Sequence, residues 1–196
     1  MRNLKLILML VFNAFLLGLN AQIFTEKDLP FLVEKSKKDS IFKIERKAAL
    51  AFHKRINSYR KKHQLKVLEW DEALWIASRN HNVWMSKTNK LSHFQSVRNK
   101  YFTGKNPQDR FKFVVDKSTS TRWSAENALY NYSYYGDNIT EIAQNMAEKS
   151  FNQWKNSTDH NKNMLGKNHL THGVSFLIRD DLVWGTDLFS PSKRKK

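Results

Sequence analysis

One histidine stands where the sequence predicts the start of a short helix. Ser157 is a suitable N-cap, because its hydroxyl can accept from the free N–H groups of a first turn. Gly166 would follow the end of this helix, since glycine tolerates the left-handed conformation found there. His160 would then lie in the first turn, where the positive helix end keeps imidazole neutral and able to bind metal or accept a proton. A polar surface histidine beside a cap fits the same local pattern.

The residue types give no evidence for a catalytic nucleophile. The chain contains no cysteine, which excludes a Cys–His pair. Ser157 shows no independent sign of activation and is more simply a helix cap. His81 lies on the apolar stripe of a predicted helix, where a hydrogen-bonded core histidine is expected more often than a ligand.

Three main helices are predicted around these residues. The first runs from Ile44 to His63, with apolar residues at three- and four-residue steps. The second follows Asp71 as its N-cap. The third begins at Asn138, where Glu141 is predicted to close a capping box by returning to the N–H of Asn138.

A β-hairpin is predicted near the end of the chain. Its strands are Gly173–Ile178 and Leu182–Phe189, joined by Arg179-Asp180-Asp181. Apolar residues alternate along the first strand, which is the pattern of a half-buried strand.

Two stretches lack a clear pattern. Residues 22–43 are polar, hold a short helix near Pro30 and are expected to pack loosely as an N-terminal extension. Residues 91–137 show no helical periodicity, and so long a loop in a compact domain is often functional. This loop contains His93, Glu126, Trp123 and the aromatic stretch 130–135.

The order of these features resembles the CAP superfamily (cysteine-rich secretory, antigen 5 and pathogenesis-related 1 proteins), and in particular its cysteine-free bacterial SCP-like branch. The resemblance covers Ile44 to Phe189. The matching motifs, in family order, are Ile56-Asn57-Ser-Tyr-Arg60, Leu65 to Leu74, Ser92-His93, Ala125-Glu126-Asn127, Trp154-Lys-Asn-Ser157-Thr-Asp-His160 and Gly173-Val174. Ala125 stands where glycine is usual, and Ser157 stands where many members have a second Glu.

The resemblance implies an α+β fold, a three-layer α-β-α sandwich with a small antiparallel sheet. It also implies a surface cleft where His93, Glu126 and His160 meet. Two imidazoles and one carboxylate could hold a divalent cation, Zn²⁺ or Ca²⁺, and three protein ligands on Zn²⁺ leave a position for water. Glu126 could instead stay outside the metal shell and orient a histidine through its second nitrogen.

Three functions follow as hypotheses. The first is a secreted, non-enzymatic binding module for a lipid or an envelope component, with the aromatic stretch 130–135 either as a wall of the cleft or as core. The second is a metal-assisted, peptidase-like hydrolase in which His93, Glu126 and His160 are the catalytic residues. The third is a basic surface adhesin for anionic polymers.

The first residues of the chain predict its location, and its net charge limits the classes of partner that it would favour. Residues 1–21 are predicted to be a secretory signal peptide, because Arg2 and Lys5 precede an apolar run too short to span a membrane comfortably. A CAP-like domain is predicted at residues 44–190, with a frayed basic tail at 191–196. The formal net charge is +16, or +14 without the two signal-peptide charges, and it would favour anionic surfaces.

A solvated surface of lysines is the preferred explanation of this charge, since the basic residues are spread along the chain. We expect a secreted or periplasmic monomer. We expect no transmembrane segment after signal cleavage and no specific nucleic-acid partner.

Overall fold

The computed structural model describes residues 22–115, 125–132 and 135–194. The predicted signal peptide, Trp123 and Tyr134 lie outside these ranges. After a 3-10 turn at Glu26–Asp28, the elements in chain order are α1 (Leu29–Lys38), α2 (Ser40–Lys62), β1 (Glu69–Trp70), α3 (Glu72–Thr88), α4 (Pro107–Val114), β2 (Ala125–Tyr132), α5 (Ile139–Lys155), α6 (Thr158–Met164), β3 (Thr171–Arg179) and β4 (Leu182–Ser190).

A four-stranded sheet divides the helices into two layers. The strand order is β1-β3-β4-β2, with β1 parallel to β3 and the other neighbours antiparallel. On one face, Phe176 of β3 packs against Phe52 of α2, with ring centroids 6.0 Å apart. On the other face, Ser78 of α3 donates to the carbonyl of Gly173 at 2.6 Å. Because strand residues alternate between faces, α2 and α3 cover opposite faces, and the predicted α-β-α sandwich is confirmed.

The predicted hairpin is present, but its burial differs from the prediction. Strands β3 and β4 pair from Thr171 with Ser190 to Arg179 with Leu182, and nearly all of their residues are buried. The prediction of a half-buried strand was therefore wrong. The alternation in β3 reflects two different buried environments, because helices cover both faces.

Two of the three predicted main-helix starts are confirmed by their caps. The side chain of Asp71 accepts from Ala73 and Leu74, and that of Asn138 accepts from Thr140 and Glu141, so both caps are confirmed. The Glu141 carboxylate accepts from the N–H of Asp137 at 2.9 Å rather than from the cap itself.

Helix α2 begins earlier than predicted. The carboxylate of Asp39 accepts from the N–H of Phe42 at 3.0 Å and caps the helix before Ser40. The end of α6 also differs from the prediction. Among the described residues Gly104 is the glycine with positive φ, so Gly166 does not take the predicted left-handed conformation.

The stretch 91–137 was wrongly predicted to lack regular structure, since it contains α4 and β2. Helix α4 has eight residues and is capped by Asn106, whose side chain accepts from the N–H of Asp109 at 3.0 Å. Strand β2 buries Glu126 and Asn127 among its apolar residues. A two-turn helix and a strand with buried polar groups leave little periodic signal in the sequence.

Both ends of the described chain are bound to the domain, contrary to prediction. Phe24 is buried, its N–H donates to Asn80 Oδ1 at 3.0 Å, and its carbonyl accepts from Asn80 Nδ2 at 2.7 Å. At the other end, Arg194 pairs with the carboxylates of Glu26 and Asp71. The extension is therefore held by buried hydrogen bonds, and the tail up to residue 194 is held by partly buried ion pairs. Across the described ranges, every helix falls short of what a bilayer crossing requires in length or apolar character.

Close contact between β3 and α3 predicts a specific glycine requirement. A Cβ on Gly173 would lie 2.1 Å from the backbone nitrogen of Trp75. Replacing Gly173 by alanine must displace the helix backbone, and we expect a loss of about 2 kcal/mol in urea unfolding. Gly185→Ala is the matched control, since the three atoms nearest to its Cβ would be side-chain atoms of Leu129 and Phe176. Equal losses in the two variants would contradict the backbone contact as the cause.

Candidate functional site

The edge strand β2 and the loop after α3 bring the first two predicted site residues together. His93 Nδ1 lies 2.8 Å from Glu126 Oε1. The Glu126 side chain is 1% exposed and that of His93 is 49% exposed. The imidazole donates from Nδ1 to the carboxylate, which leaves Nε2 as a free acceptor for a ligand.

Arg110 completes this contact and was not predicted. From α4, its guanidinium donates to Glu126 Oε2, and a second nitrogen donates to the carbonyl of His93 at 3.0 Å. Burial alone would raise the pKa of Glu126. The charge of Arg110, followed by His81 and the hydrogen bond from His93, outweighs burial and lowers that pKa. Glu126 is therefore a carboxylate held between a buried cation and a half-exposed imidazole.

His81 supports the loop that holds His93. It is fully buried, with Nε2 donating to the carbonyl of Ser92 at 2.7 Å and Nδ1 accepting from Gln95 at 3.1 Å. Burial, together with the charge of Arg110, lowers its pKa to about 3, so the ring is neutral. Its prediction as a hydrogen-bonded core histidine is confirmed.

His160 approaches from the opposite side of β2. It lies in the first turn of α6, as predicted, and its carbonyl accepts from Asn127 at 3.0 Å. Asn163 in turn donates to Asn127 Oδ1 at 2.8 Å and fixes α6 on the strand. Burial, then the charge of His93, lowers the pKa of His160. The direction agrees with the neutral ring that the sequence predicts, although these causes differ from the helix end that the sequence suggested.

Ser157 has a structural position at the entrance to α6. It is the residue before the first turn, as predicted. Within the described residues, its hydroxyl accepts no hydrogen bond from that turn. Its backbone carbonyl accepts from the N–H of Asn161 at 2.8 Å and begins the helix.

The arrangement around Glu126 does not fit a three-ligand metal shell. Both carboxylate oxygens are engaged by donors, and the adjacent Arg110 charge opposes a cation. In the ranges that the structure describes, no cluster of three or more His, Cys, Asp or Glu side chains is placed to hold a metal ion. Glu126 therefore has the orienting position, bonded to Nδ1 of His93, that was the alternative to direct ligation. The roles of His93, Glu126 and His160 stay predictions.

Exposed apolar side chains lie next to this site. Phe94, adjacent to His93, is 61% exposed. Tyr130 and Tyr132 share the β2 face of Glu126, because alternate residues of a strand point the same way. Their rings are 5.9 Å apart, and Tyr132 is 67% exposed. Aromatic surface therefore extends from the site along the strand.

A second polar group lies under α2, on the opposite face of the sheet, and sequence patterns did not reveal it. His172 Nδ1 lies 2.9 Å from Asp187 Oδ1, and His172 Nε2 lies 2.7 Å from His53 Nδ1. His172 and Asp187 are fully buried. The three residues come from three separate elements. His172 and Asp187 lie on the paired strands β3 and β4, and this pairing is the one sequence signal that could have suggested their contact.

Comparison with known proteins gives matches in one family. The model of the cysteine-rich secretory protein family, CAP, matches residues 53–181, more than half of the chain. An outer surface protein from Borrelia burgdorferi has a similar structure, with a TM-score of 0.52, 19% identity, and coverage of 73% of this chain and 90% of that one.

An extracellular protein containing an SCP domain, from Bacillus anthracis, is also similar. Its TM-score is 0.58 at 20% identity, and the alignment covers 78% of this chain but 43% of that protein. At these identities the likeness shows the fold. No curated protein sequence matches this chain.

Proposed function

Because this chain belongs to the cysteine-rich secretory protein (CAP) family, we propose that it is an extracellular protein that binds a ligand in the cleft at His93, Glu126 and His160. The main support is the Glu126 carboxylate, held between His93 and Arg110. Groups fixed before a ligand arrives lose little freedom on binding. The predicted signal peptide supports the location, as do the names of the two similar structures, an outer surface protein and an extracellular protein.

The ligand class that fits best is a lipid or another partly apolar envelope component. Phe94 and Tyr132 expose apolar surface on the side of the sheet where Glu126 lies. The His93 imidazole lies next to Phe94, and its Nε2 can accept a hydrogen bond from the hydroxyl of an alcohol or carboxylic acid head group. Sites of this kind combine an apolar wall with a few fixed polar groups.

Metal-assisted hydrolysis with the same three residues is less well supported. That mechanism needs Glu126 as a ligand or as a base, and its oxygens already accept from Arg110 and His93. The buried guanidinium also keeps the pKa of Glu126 low, which weakens it as a proton acceptor. We therefore assign Glu126 to the orientation of His93.

A binding titration with a long-chain fatty acid tests the proposal. We expect saturable one-to-one binding by calorimetry that is unchanged in EDTA. His93→Ala and Phe94→Ser are each expected to weaken it about tenfold, which corresponds to about 1.4 kcal/mol. His63→Ala is the matched control, because His63 is an exposed histidine at the far end of α2.

Parallel titrations with Zn²⁺ and Ca²⁺ distinguish the proposed ligand binding from the metal-assisted hydrolase. Tight one-to-one metal binding that His93→Ala and His160→Ala both abolish, with fatty-acid binding lost on chelation, would contradict the proposal and favour the hydrolase. No saturable fatty-acid binding by the folded protein would also overturn it for this ligand class. Circular dichroism establishes that each variant is folded.

A further inference from the structure

The loop between α3 and α4, residues 89–106, exposes apolar side chains that the core does not use. Leu91 is 45% exposed, Phe94 is 61% exposed and Val97 is 73% exposed. Val97 is the most exposed large apolar side chain in the described part of the chain. Three such side chains within seven residues form an apolar surface, which is typical of a site of interaction.

Buried polar groups hold this loop in a fixed shape. Gln95 is buried, its N–H donates to the carbonyl of Lys105 at 2.9 Å, and its Oε1 accepts from the N–H of Thr103 at 2.8 Å. The carbonyls of the two residues before Phe94 accept from buried side chains of α3 and α4. The apolar side chains are therefore presented on a rigid base, and little further ordering is needed when they are covered.

The exposed charges of the same loop are all positive. The loop contains no acidic residue, and its four cations are exposed: Lys90, Arg98, Lys100 and Lys105. Among the residues that the structure describes, none of these four has an ion-pair partner, whereas Lys35 and Lys193 elsewhere are paired with carboxylates. The loop therefore combines protruding apolar side chains with uncompensated positive charge.

We propose that the loop 89–106 docks the protein on an anionic lipid bilayer. Leu91, Phe94 and Val97 enter the boundary between head groups and acyl chains, where apolar side chains are removed from water. The four surrounding cations contact the phosphates of the head groups. Each cation near an anionic surface raises the affinity by about fivefold, so both kinds of side chain contribute.

Other partners would use only part of this surface. Protein interfaces are depleted in lysine, and their centres exclude charge, whereas four cations lie around these apolar side chains. A hydrophilic polyanion would leave Phe94 and Val97 in water. A second copy of this chain would bring two positive loops together, which repel each other. An anionic bilayer is the partner that covers the apolar side chains and neutralises the cations together.

Docking in this orientation brings the cleft to the membrane, because Phe94 directly follows His93 in the chain. A lipid ligand would then pass between the bilayer and the cleft without crossing water. This step rests on the proposed function of the cleft. The docking itself rests on the loop alone and does not require a ligand at His93.

Cosedimentation with lipid vesicles tests the docking. The vesicles contain phosphatidylglycerol mixed with phosphatidylcholine, or phosphatidylcholine alone. The protein lacks residues 1–21, because their apolar run would itself bind lipid, and it keeps every described element. We expect saturable binding to the anionic vesicles and at least tenfold weaker binding to phosphatidylcholine. Equal binding to both kinds of vesicle would overturn the role of the cations.

A pair of apolar substitutions tests whether the loop is the anchor. Leu91→Ser combined with Val97→Ser should weaken binding to the anionic vesicles at least tenfold. Leu50→Ser combined with Val67→Ser is the matched control, because these residues are of the same types, are 39% and 44% exposed, and lie outside the loop. The control should change the affinity less than twofold. Equal weakening by the two pairs would overturn the assignment of the loop.

A pair of charge substitutions tests the basic part of the surface. Arg98→Gln combined with Lys100→Gln should weaken binding to the anionic vesicles at least tenfold. Lys61→Gln combined with Lys62→Gln removes the same charge from the exposed end of α2 and should weaken it less than threefold. Equal weakening by the two pairs would indicate a general effect of net charge and would overturn the docking loop.

The fatty-acid titration separates this proposal from the proposed function. Leu91→Ser combined with Val97→Ser should keep its affinity for the fatty acid in solution, since neither side chain is assigned to the cleft. Absence of binding to anionic vesicles, with fatty-acid binding intact, would overturn the docking alone. Vesicle binding without fatty-acid binding would support the docking and contradict the proposed ligand of the cleft. Unchanged melting temperatures establish that each variant is folded.

Discussion

Replacing Arg110 by methionine is expected to lower the free energy of unfolding by about 3–5 kcal/mol at pH 7, because it leaves the buried Glu126 carboxylate without its cation. Arg110 and Glu126 are both almost completely buried, and the guanidinium also donates to the carbonyl of His93. Urea unfolding measures the loss directly. His93 should also lose its fixed position, so ligand binding in the cleft should weaken with stability.

Two further variants show whether the unpaired charge is the cause. Arg110→Met combined with Glu126→Gln removes the stranded carboxylate and should recover part of the loss. Arg55→Met breaks the exposed pair with Glu148, whose closest atoms are 3.4 Å apart, and should cost at most about 1 kcal/mol. A loss in Arg110→Met no larger than in Arg55→Met would contradict a buried ion pair.

The pH dependence of the Arg110→Met deficit has a defined sign. Without the cation, burial raises the pKa of Glu126 in the folded protein above its unfolded value. The folded state then binds a proton more readily, so the deficit should shrink as the pH falls towards the carboxyl range and grow as it rises. The double variant has no carboxylate at position 126, so its own stability should lack the contribution that this group makes in Arg110→Met.

Periodicity and capping residues were sufficient to predict the main helices. Asp71 and Asn138 mark helix starts by their own chemistry, since each side chain accepts from the N–H groups that follow it. Such local interactions are encoded within a few residues. The α+β sandwich came from the resemblance in motif order rather than from these patterns.

The partners of the site residues were not predictable in the same way. Arg110 lies sixteen residues from Glu126 in sequence, in a two-turn helix with weak periodicity. An arginine in such a stretch is indistinguishable from a surface arginine until the fold brings a carboxylate to it. His53, His172 and Asp187 likewise meet only because α2 packs on the β3–β4 pair. The buried position of Phe24 depended on Asn80, more than fifty residues away.

The fully buried His81 is expected to make the protein sensitive to acid. Burial and the charge of Arg110 hold its folded-state pKa at about 3, against an ordinary value near 6.5. Because the folded pKa is depressed, the unfolded chain binds the proton first as the pH falls. Stability from the neutral ring is therefore present above about pH 6.5 and is lost progressively towards pH 3. Between pH 7 and pH 4 this loss is about 3 kcal/mol.

Two other histidines are also expected to reduce the stability of the folded protein in acid. Burial, then the charge of His172, lowers the pKa of His53 to about 4, and burial with Arg60 does the same for His169. Both are less completely buried than His81, so solvent screens part of their effect. Carboxylates also titrate in this pH range. The contribution of His81 must therefore be measured as a difference in stability between the wild type and a variant.

His81→Gln provides that difference, since glutamine can donate to Ser92 and accept from Gln95 but does not titrate. At pH 7 the variant should be less stable than the wild type, and its deficit should shrink by about 3 kcal/mol on going to pH 4. His63→Gln, at an exposed histidine, should follow the wild type throughout. If the His81→Gln and wild-type stability curves instead run parallel from pH 7 to pH 4, the neutral buried imidazole is not the source of acid sensitivity.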